Sequence, residues 1–406
     1  MSTERVTAEA TDYRDATADR RALIVVLDGV GCGAAPDTSA YGDDGSDTIG
    51  NVARAVGGLH MPNLARLGLG NLSVVEGVGP VDNATGAWGT MLPRSSGKDS
   101  TTGHWEIAGL HLEKPFPTYP RGFPPEVLAA FSAATGRAVI ANTVASGTAV
   151  IADFAEEQQR TGSWIVYTSA DSVFQIAAHE DWIPLEELYR GCEIARQQLV
   201  APHDVSRVIA RPFRGTPGDW RRTANRRDYS IQPPGTTLLD VLAELGVPRV
   251  GVGKVDDLFA GRAITSRHTV DNADGVEAIL AWLNGQTRGF CFANLVDFDQ
   301  LFGHRNDVPG FKGCLEAFDR VLPTLLAAMR ENDLLFITAD HGNDPTTPST
   351  DHARERVPVI VAGARVRGGP LGERDTFSDL GATIADWFGA SWRGRGTSFL
   401  SGLLHA

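Results

Sequence analysis

Three short apolar runs in this chain end on acidic residues. Residues 22–27 (A-L-I-V-V-L) run into Asp28, residues 290–296 into Asp297 and Asp299, and residues 334–338 into Asp340 and His341. Runs of this length, rich in Val and Ile, are expected to be strands buried on both faces. Further runs at 164–167, 208–210, 249–252 and 357–361 have the same character. Helical patterns at 236–245, 310–330 and 378–388 lie among them, the last with Ser378 as its expected cap. Strands alternating with helices predict an α/β fold with a mostly parallel sheet flanked by helices. In such sheets ligands gather at the carboxyl ends of the strands. The acidic residues are therefore delivered to one edge of the sheet, where their charge needs a partner.

Residues 116–235 have a different texture, with many prolines and aromatics and the arginine pairs Arg221-Arg222 and Arg226-Arg227. This stretch is expected to be an inserted α+β domain, leaving 21–115 and 236–406 as two parts of one core. Residues 1–20 are polar and mixed in charge with no apolar segment, which predicts a disordered tail rather than a secretory signal. A net charge of −13 argues against nucleic acid as a partner. It leaves room for a phosphorylated small molecule held by metal ions or by a locally positive site. The four cysteines, Cys32, Cys192, Cys291 and Cys314, form no C-x-x-C pair. Neither a disulfide scaffold nor a zinc–thiolate site is expected, and a reducing cytoplasmic setting fits. No apolar run approaches the about 18–20 residues of a membrane span, so no membrane partner is expected.

Asp28, Asp299, His304, Asp340, His341 and His352 form the candidate metal set. Mixed Asp and His ligands suit divalent ions such as Mn²⁺ or Zn²⁺. Six ligands are too many for one ion that must keep an open position, so two ions are expected. Such a pair can hold both the attacking and the leaving oxygen of an in-line phosphoryl displacement. Taken singly, each residue has a structural explanation: an Asp after a strand often caps a turn or helix, and His304 could be a surface histidine. Their co-occurrence at strand ends carries the inference. The segment G-K-D-S-T-T-G-H-W-E-I from Gly97 adds a helix start at Asp99 or Ser100, running on through Ile107. A serine at a helix N-terminus, next to a metal, can attack phosphorus. A serine there can equally be only the cap, and this segment alone does not decide.

Together these segments resemble the phosphopentomutases of the alkaline phosphatase superfamily. The residues that carry the resemblance are V-V-L-D-G-V-G-C-G-A-A-P-D from Val25, G-K-D-S-T-T-G-H-W-E from Gly97, Y-T-S-A-D-S-V from Tyr167, N-L-V-D-F-D-Q-L-F-G-H-R from Asn294, T-A-D-H-G-N-D-P from Thr338 and T-D-H from Thr350. The likeness extends from about residue 21 to G-T-S-F at Gly396. It implies an alkaline-phosphatase-like core holding two Mn²⁺ ions, covered by an inserted cap. Carried over, one ion is held by Asp28, Asp340, His341 and the oxygen of Ser100, and the other by Asp299, His304 and His352. The cap supplies Ser169, Asp171 and Val173 near the sugar, and Arg207, with Arg211 behind it, at the distal phosphate. The implied reaction interconverts ribose 1-phosphate and ribose 5-phosphate, and the 2-deoxy pair, through a phosphoenzyme and a pentose bisphosphate. Glucose 1,6-bisphosphate or a similar sugar bisphosphate primes it, nucleoside salvage is the usual setting, and a monomer is expected.

One departure stands out. The family's usual threonine after G-K-D is replaced here by Ser100, as in other members of the superfamily. Thr101 is a substitute one residue along, but on a helix it points about 100° away. The serine keeps open a metal-dependent phosphomonoester hydrolase, or another phosphosugar mutase, on the same core. A non-catalytic protein with a decayed site predicts missing ligands, and all six positions are filled.

Overall fold

The computed structural model describes residues 19–169 and 171–405, so most of the 1–20 segment expected to be a disordered tail lies outside the described residues. The chain divides into two compact units, one built from residues up to Lys114 and from Pro233 onward, the other from Pro115–Gln232.

The first unit is built on an eight-stranded sheet. Its strand order is Ser266–Arg267, Arg249–Val252, Gly289–Leu295, Arg21–Leu27, Asp333–Thr338, Val357–Ala362, Ala87–Met91 and Gly369–Arg374. Only Val357–Ala362 runs against the rest. The mostly parallel sheet follows from composition, because Arg21–Leu27, Gly289–Leu295 and Asp333–Thr338 are buried along their whole lengths. A strand without a solvent-facing side must be covered on both faces, and the helices supply that cover. Arg21–Leu27 is central, pairing in register with both neighbours so that Leu27 lies opposite Leu295 and Val26 opposite Thr338. That register brings Asp28, the 297–304 segment and Asp340 to one end of the sheet.

Most element ends lie within three residues of expectation, the strand expected at 208–210 extends over Arg207–Thr216, and one expected cap is reassigned. The helix expected over 378–388 spans Ser378–Trp387, but Ser378 lies inside it. Its hydroxyl donates to the Glu106 carbonyl at 2.7 Å rather than capping its own helix. The helix expected over 236–245 spans Leu238–Glu244 and starts with a reciprocal cap between Thr237 and Asp240. Strands Ala87–Met91 and Gly369–Arg374 and the helix Asn272–Gly285 were not anticipated. Both strands alternate burial and contain glycines, which gives a weaker pattern than a continuous apolar run.

The second unit carries a six-stranded mixed sheet. Its order is Val139–Val144, Trp164–Thr168, Val173–His179, Arg207–Thr216 and Asp219–Arg222, with Arg227–Ser230 also paired to Arg207–Thr216. Helices Pro125–Thr135, Gly147–Thr161 and Leu185–Gln198 pack on it. One core layer gathers Phe123, Phe131, Trp164, Phe174 and Leu188, and another gathers Val150, Ile165, Tyr167 and Phe213.

All four cysteines are free thiols. Among the described residues no helix is long and apolar enough to cross a membrane.

The start of the central strand is tied down by charge. Arg21, 1% exposed, donates Nε to Asp333 Oδ1 at 2.7 Å and Nη2 to Asp333 Oδ2, and its Nη1 donates to the carbonyls of Leu283 and Gln286. Removing the carboxylate strands a guanidinium in the core. Asp333→Ala is expected to lower core stability by about 3–5 kcal/mol in chemical denaturation. A paired Arg21→Met/Asp333→Leu variant is expected to recover most of that loss.

Candidate metal centre

The edge of the first unit's sheet holds all seven candidate residues of the core. Asp28 follows the central strand and is fully buried, with Gly29 turning the chain at φ +77°. Asp299 sits in a π-helical turn, Phe298–Phe302, that passes into a 3-10 turn, Gly303–Arg305, carrying His304. A wide π turn followed by a tight 3-10 turn can bring together side chains that a regular helix would splay apart. Asp340 and His341 leave the strand Asp333–Thr338 directly. The chain then loops out and returns at a two-residue bridge, Gly342 with Ala353, whose backbone hydrogen bonds measure 3.0 and 2.7 Å. That bridge brings His352 back beside His341, with ring centroids 4.1 Å apart. The side chain of Glu355 wedges against Gly31 and Gly342, where any Cβ would lie within 2.4 Å of it. The two loops therefore lock against each other.

The candidates fall into two groups joined through Asp299. Asp299, His304 and His352 offer ligand atoms all within 4.8 Å of one another, and so do Asp28, Asp299 and His341. His304 Nε2 lies 3.2 Å from Asp299 Oδ2, and His352 Nε2 lies 3.4 Å from Asp299 Oδ1. His341 Nε2 lies 3.3 Å from Asp28 Oδ1 and 3.5 Å from Asp340 Oδ2. The expected division gave Asp299 to one ion only, whereas its place between the groups also suits a bridge.

Tautomers can be assigned from the far side of two rings. His304 Nδ1 faces the Thr350 carbonyl at 2.6 Å, and His341 Nδ1 faces the Gly342 carbonyl at 3.0 Å. Each Nδ1 donates there, so each Nε2 is the nitrogen facing the carboxylates, and its lone pair would be the one offered to a bound cation. Buried Asp28 Oδ1 and Asp340 Oδ2 accept no hydrogen bond among the described residues. Buried anionic oxygens without donors are costly, and a divalent cation satisfies them. The donor set thus fits metal.

Electrostatics show the same demand. Burial disfavours the charged forms of Asp299 and Asp340, yet the facing histidines outweigh it and hold both carboxyls below the usual range. Burial likewise works against protonated His304 and His341, but Asp299, and then Asp340 with Asp28, raise them to about 9 and about 10. Protons stand where cations would.

Asp99, not Ser100, caps the helix Ser100–Ile107, its Oδ1 accepting from Thr102 N at 3.1 Å and its Oδ2 from the Thr102 hydroxyl at 2.6 Å. The Ser100 hydroxyl is therefore spared the capping role, and it lies 3.2 Å from His341 Nε2. Lys254, which the sequence analysis passed over, supplies the remaining cation. It follows Gly253 (φ +82°) just past the strand Arg249–Val252. Its Nζ lies 2.8 Å from Asp28 Oδ2 and 3.3 Å from Ser100 Oγ. Burial opposes that charge, but Asp28, Asp299 and Asp340 together raise the ammonium's pKa. The clue available in sequence was G-V-G-K directly after an apolar run, parallel to the Asp-bearing strand ends. Asp351 turns instead to Lys98, at 3.3 Å. Asp297 accepts from Asn272 N at 2.8 Å and serves the start of the helix Asn272–Gly285.

The candidate substrate residues lie in the second unit. Val173 pairs with Arg207 across two parallel strands, and Ser169 and Asp171 occupy the turn just before Val173, so these four share one end of that sheet. Arg207 is turned toward Asp228, 3.5 Å away. Arg211 pairs with Ala177 four residues further along, about 13 Å from that end. Its Nε donates to Gln175 Oε1 at 3.1 Å.

With this geometry in place, two sets of known proteins bear on the chain. A family model described as the Metalloenzyme superfamily matches residues 20–391. Proteins named phosphopentomutase share 56% identity over 94% of this chain and 98% of the relative in Anaeromyxobacter dehalogenans. The corresponding figures in Kosmotoga olearia are 54%, 95% and 100%. The chain belongs to the phosphopentomutase family. It is an enzyme of the isomerase class, an intramolecular phosphotransferase. A solved Leishmania mexicana phosphoglycerate mutase matches 93% of this chain and 97% of its own at 12% identity and a TM-score of 0.47, too loose a likeness to bear on function.

The helix Ser100–Ile107 approaches the end of the strand Asp333–Thr338 through Gly103, where a Cβ would lie 2.1 Å from the Asp340 carbonyl oxygen. Gly103→Ala must push Ser100 and Asp340 apart. Misplacement of about 1 Å costs on the order of 10²-fold, so kcat in the mutase assay is expected to fall about that much, with KM changing far less.

Proposed function

We propose that this enzyme interconverts ribose 1-phosphate and ribose 5-phosphate, and their 2-deoxy counterparts, through a phosphorylated Ser100. The observation that carries this reading is the Ser100 hydroxyl, freed by the Asp99 cap and set between His341 Nε2 and Lys254 Nζ. Asp28, Asp340, His341 and Ser100 Oγ would hold one Mn²⁺, and Asp299, His304 and His352 a second. Bound there, the ions neutralise phosphoryl oxygens and favour the ionised serine.

The chain's own groups do the rest. In the primed enzyme a phosphoryl group is carried on Ser100 Oγ. A hydroxyl of the sugar monophosphate attacks phosphorus in line, its O–P bond forming as the P–Oγ bond breaks. The hydroxyl's proton passes to the departing serine oxygen, and the products are a pentose 1,5-bisphosphate and free Ser100. Ser100 Oγ then attacks the phosphorus of the sugar's other phosphate, the P–O bond to the sugar breaks, and the freed sugar oxygen takes the serine proton, leaving the isomeric monophosphate. Lys254 faces the serine oxygen that leaves in the first half-step and attacks in the second, so its ammonium, held charged by three carboxylates, suits the negative charge carried there between the two whenever that oxygen is ionised. The backbone N–H groups at the start of Ser100–Ile107 favour an anion at the same point.

Ser169, Asp171 and Val173 are assigned to the pentose, and Arg207 and Arg211 to its distal phosphate. Arg211 is supported by its surroundings: it lies within Coulombic reach of Arg226 and Arg222, and the nearby carboxylate of Asp228 is already held by Arg226 at 2.7 Å. Burial together with these like charges lowers Arg211, so a phosphate would relieve real repulsion. A sugar bisphosphate such as glucose 1,6-bisphosphate is assigned as the primer. Free thiols at all four cysteines support a reducing, cytoplasmic setting.

Purified enzyme with Mn²⁺, glucose 1,6-bisphosphate and ribose 5-phosphate is expected to yield ribose 1-phosphate. Intact-mass measurement after priming is expected to show one phosphate adduct that disappears in Ser100→Ala. Release of inorganic phosphate without isomerised sugar would assign the protein to the hydrolases. An adduct that survives Ser100→Ala would move the nucleophile elsewhere.

A further inference from the structure

His104 is wholly buried, one helical turn past Ser100, and belongs to neither group of candidate ligands. Its Nδ1 lies 2.9 Å from the Ser100 carbonyl oxygen and 3.1 Å from Asp340 Oδ2. Its Nε2 lies 3.2 Å from Asn294 Nδ2, and its ring stacks on Phe292 at 5.2 Å. An amide nitrogen can only donate, so Nε2 carries the lone pair and the proton resides on Nδ1. The reversed amide would need either a charged ring in a fully buried site or an Nδ1 lone pair facing two oxygens. The one Nδ1–H thus bonds the backbone of the helix Ser100–Ile107 and also lies beside Asp340 Oδ2, a carboxylate oxygen with no hydrogen-bond partner among the described residues.

We infer that His104 is a positioning residue that acts through Asp340. Its Nδ1–H, hydrogen-bonded to the Ser100 carbonyl, also lies beside Asp340 Oδ2 and attracts that oxygen electrostatically, leaving its lone pairs for the metal centre. Asp340 Oδ1 is engaged separately by Gly29 N at 3.2 Å. The carboxylate is therefore held by a hydrogen bond at Oδ1 and by an electrostatic contact at Oδ2. Because the same proton also bonds Ser100 O, His104 sets the nucleophile's helix at a fixed distance from the ligand. Asn294, fully buried near the end of the neighbouring strand Gly289–Leu295, fixes the tautomer. Partners behind a ligand that orient it are commonly worth 10–100-fold in metal affinity. The inference rests on the two-metal reading above.

The test is Mn²⁺ titration of metal-stripped full-length protein, with free Mn²⁺ read by electron paramagnetic resonance and folding checked by thermal denaturation. His104→Leu is expected to bind Mn²⁺ about 10–100-fold more weakly. His104→Asn places its amide N–H where Nδ1–H was and is expected to restore binding. His104→Gln, whose amide reaches the Nε2 position, is expected to resemble Leu. In the mutase assay kcat should follow the same order while KM moves little. Wild-type protein that binds no Mn²⁺ would overturn the two-metal reading and this inference with it. Wild-type binding matched by His104→Leu would overturn the His104 role alone. If His104→Leu does not fold, the Asn and Gln variants decide, and equal affinity in those two would overturn the role.

Discussion

Buried negative charge sets the terms for the first unit. Asp28, Asp299 and Asp340 are each no more than 4% exposed and converge on one edge of a sheet. Like charges so close, out of water, are tolerable only with cations among them. Lys254 supplies one and the histidines supply partial substitutes. The surrounding structure follows from holding these groups together: the in-register central strand, the irregular turns at 298–305, the Gly342–Ala353 bridge and the Glu355 wedge.

Much of this was legible from sequence because strand ends are legible. A continuous Val- and Ile-rich run that stops on Asp can be recognised without knowing which strand lies beside it. Asp28, Asp340 and His341 stand where their strands end, and the π and 3-10 turns bring Asp299 and His304 to the same edge. Convergence of His352 was harder to see, since it depends on a bridge between two residues eleven apart across a Thr- and Pro-rich loop. Whether Asp99 or Ser100 capped the helix was open in the sequence, because both types cap well. The side chain of Thr102 decided it by giving Asp99 two donors.

Lys254, His104 and Asn343 were missed for a different reason. Each is placed by a contact between segments far apart in the chain, and only Lys254 had a local clue, G-V-G-K after an apolar run. Lys254 reaches Ser100 across 154 positions, and His104 meets Asn294 across 190. Asn343, wholly buried, donates to Asp299 Oδ1 at 2.7 Å and orients the carboxylate shared by both ligand groups. The weakly patterned strands at the far edge of the sheet were missed because glycine dilutes the alternation that reveals a half-buried strand.

The pairing of Val26 with Thr338 and of Leu27 with Leu295 has an evolutionary corollary. Sliding one of these strands by a single residue turns its side chains to the opposite face and carries its terminal acid about 3.3 Å along the axis. Insertions and deletions inside the three strands would therefore dismantle the centre at one stroke. Connections remote from that edge can lengthen at little cost. Length variation among descendants of this chain should accumulate in those connections and leave the three strands untouched.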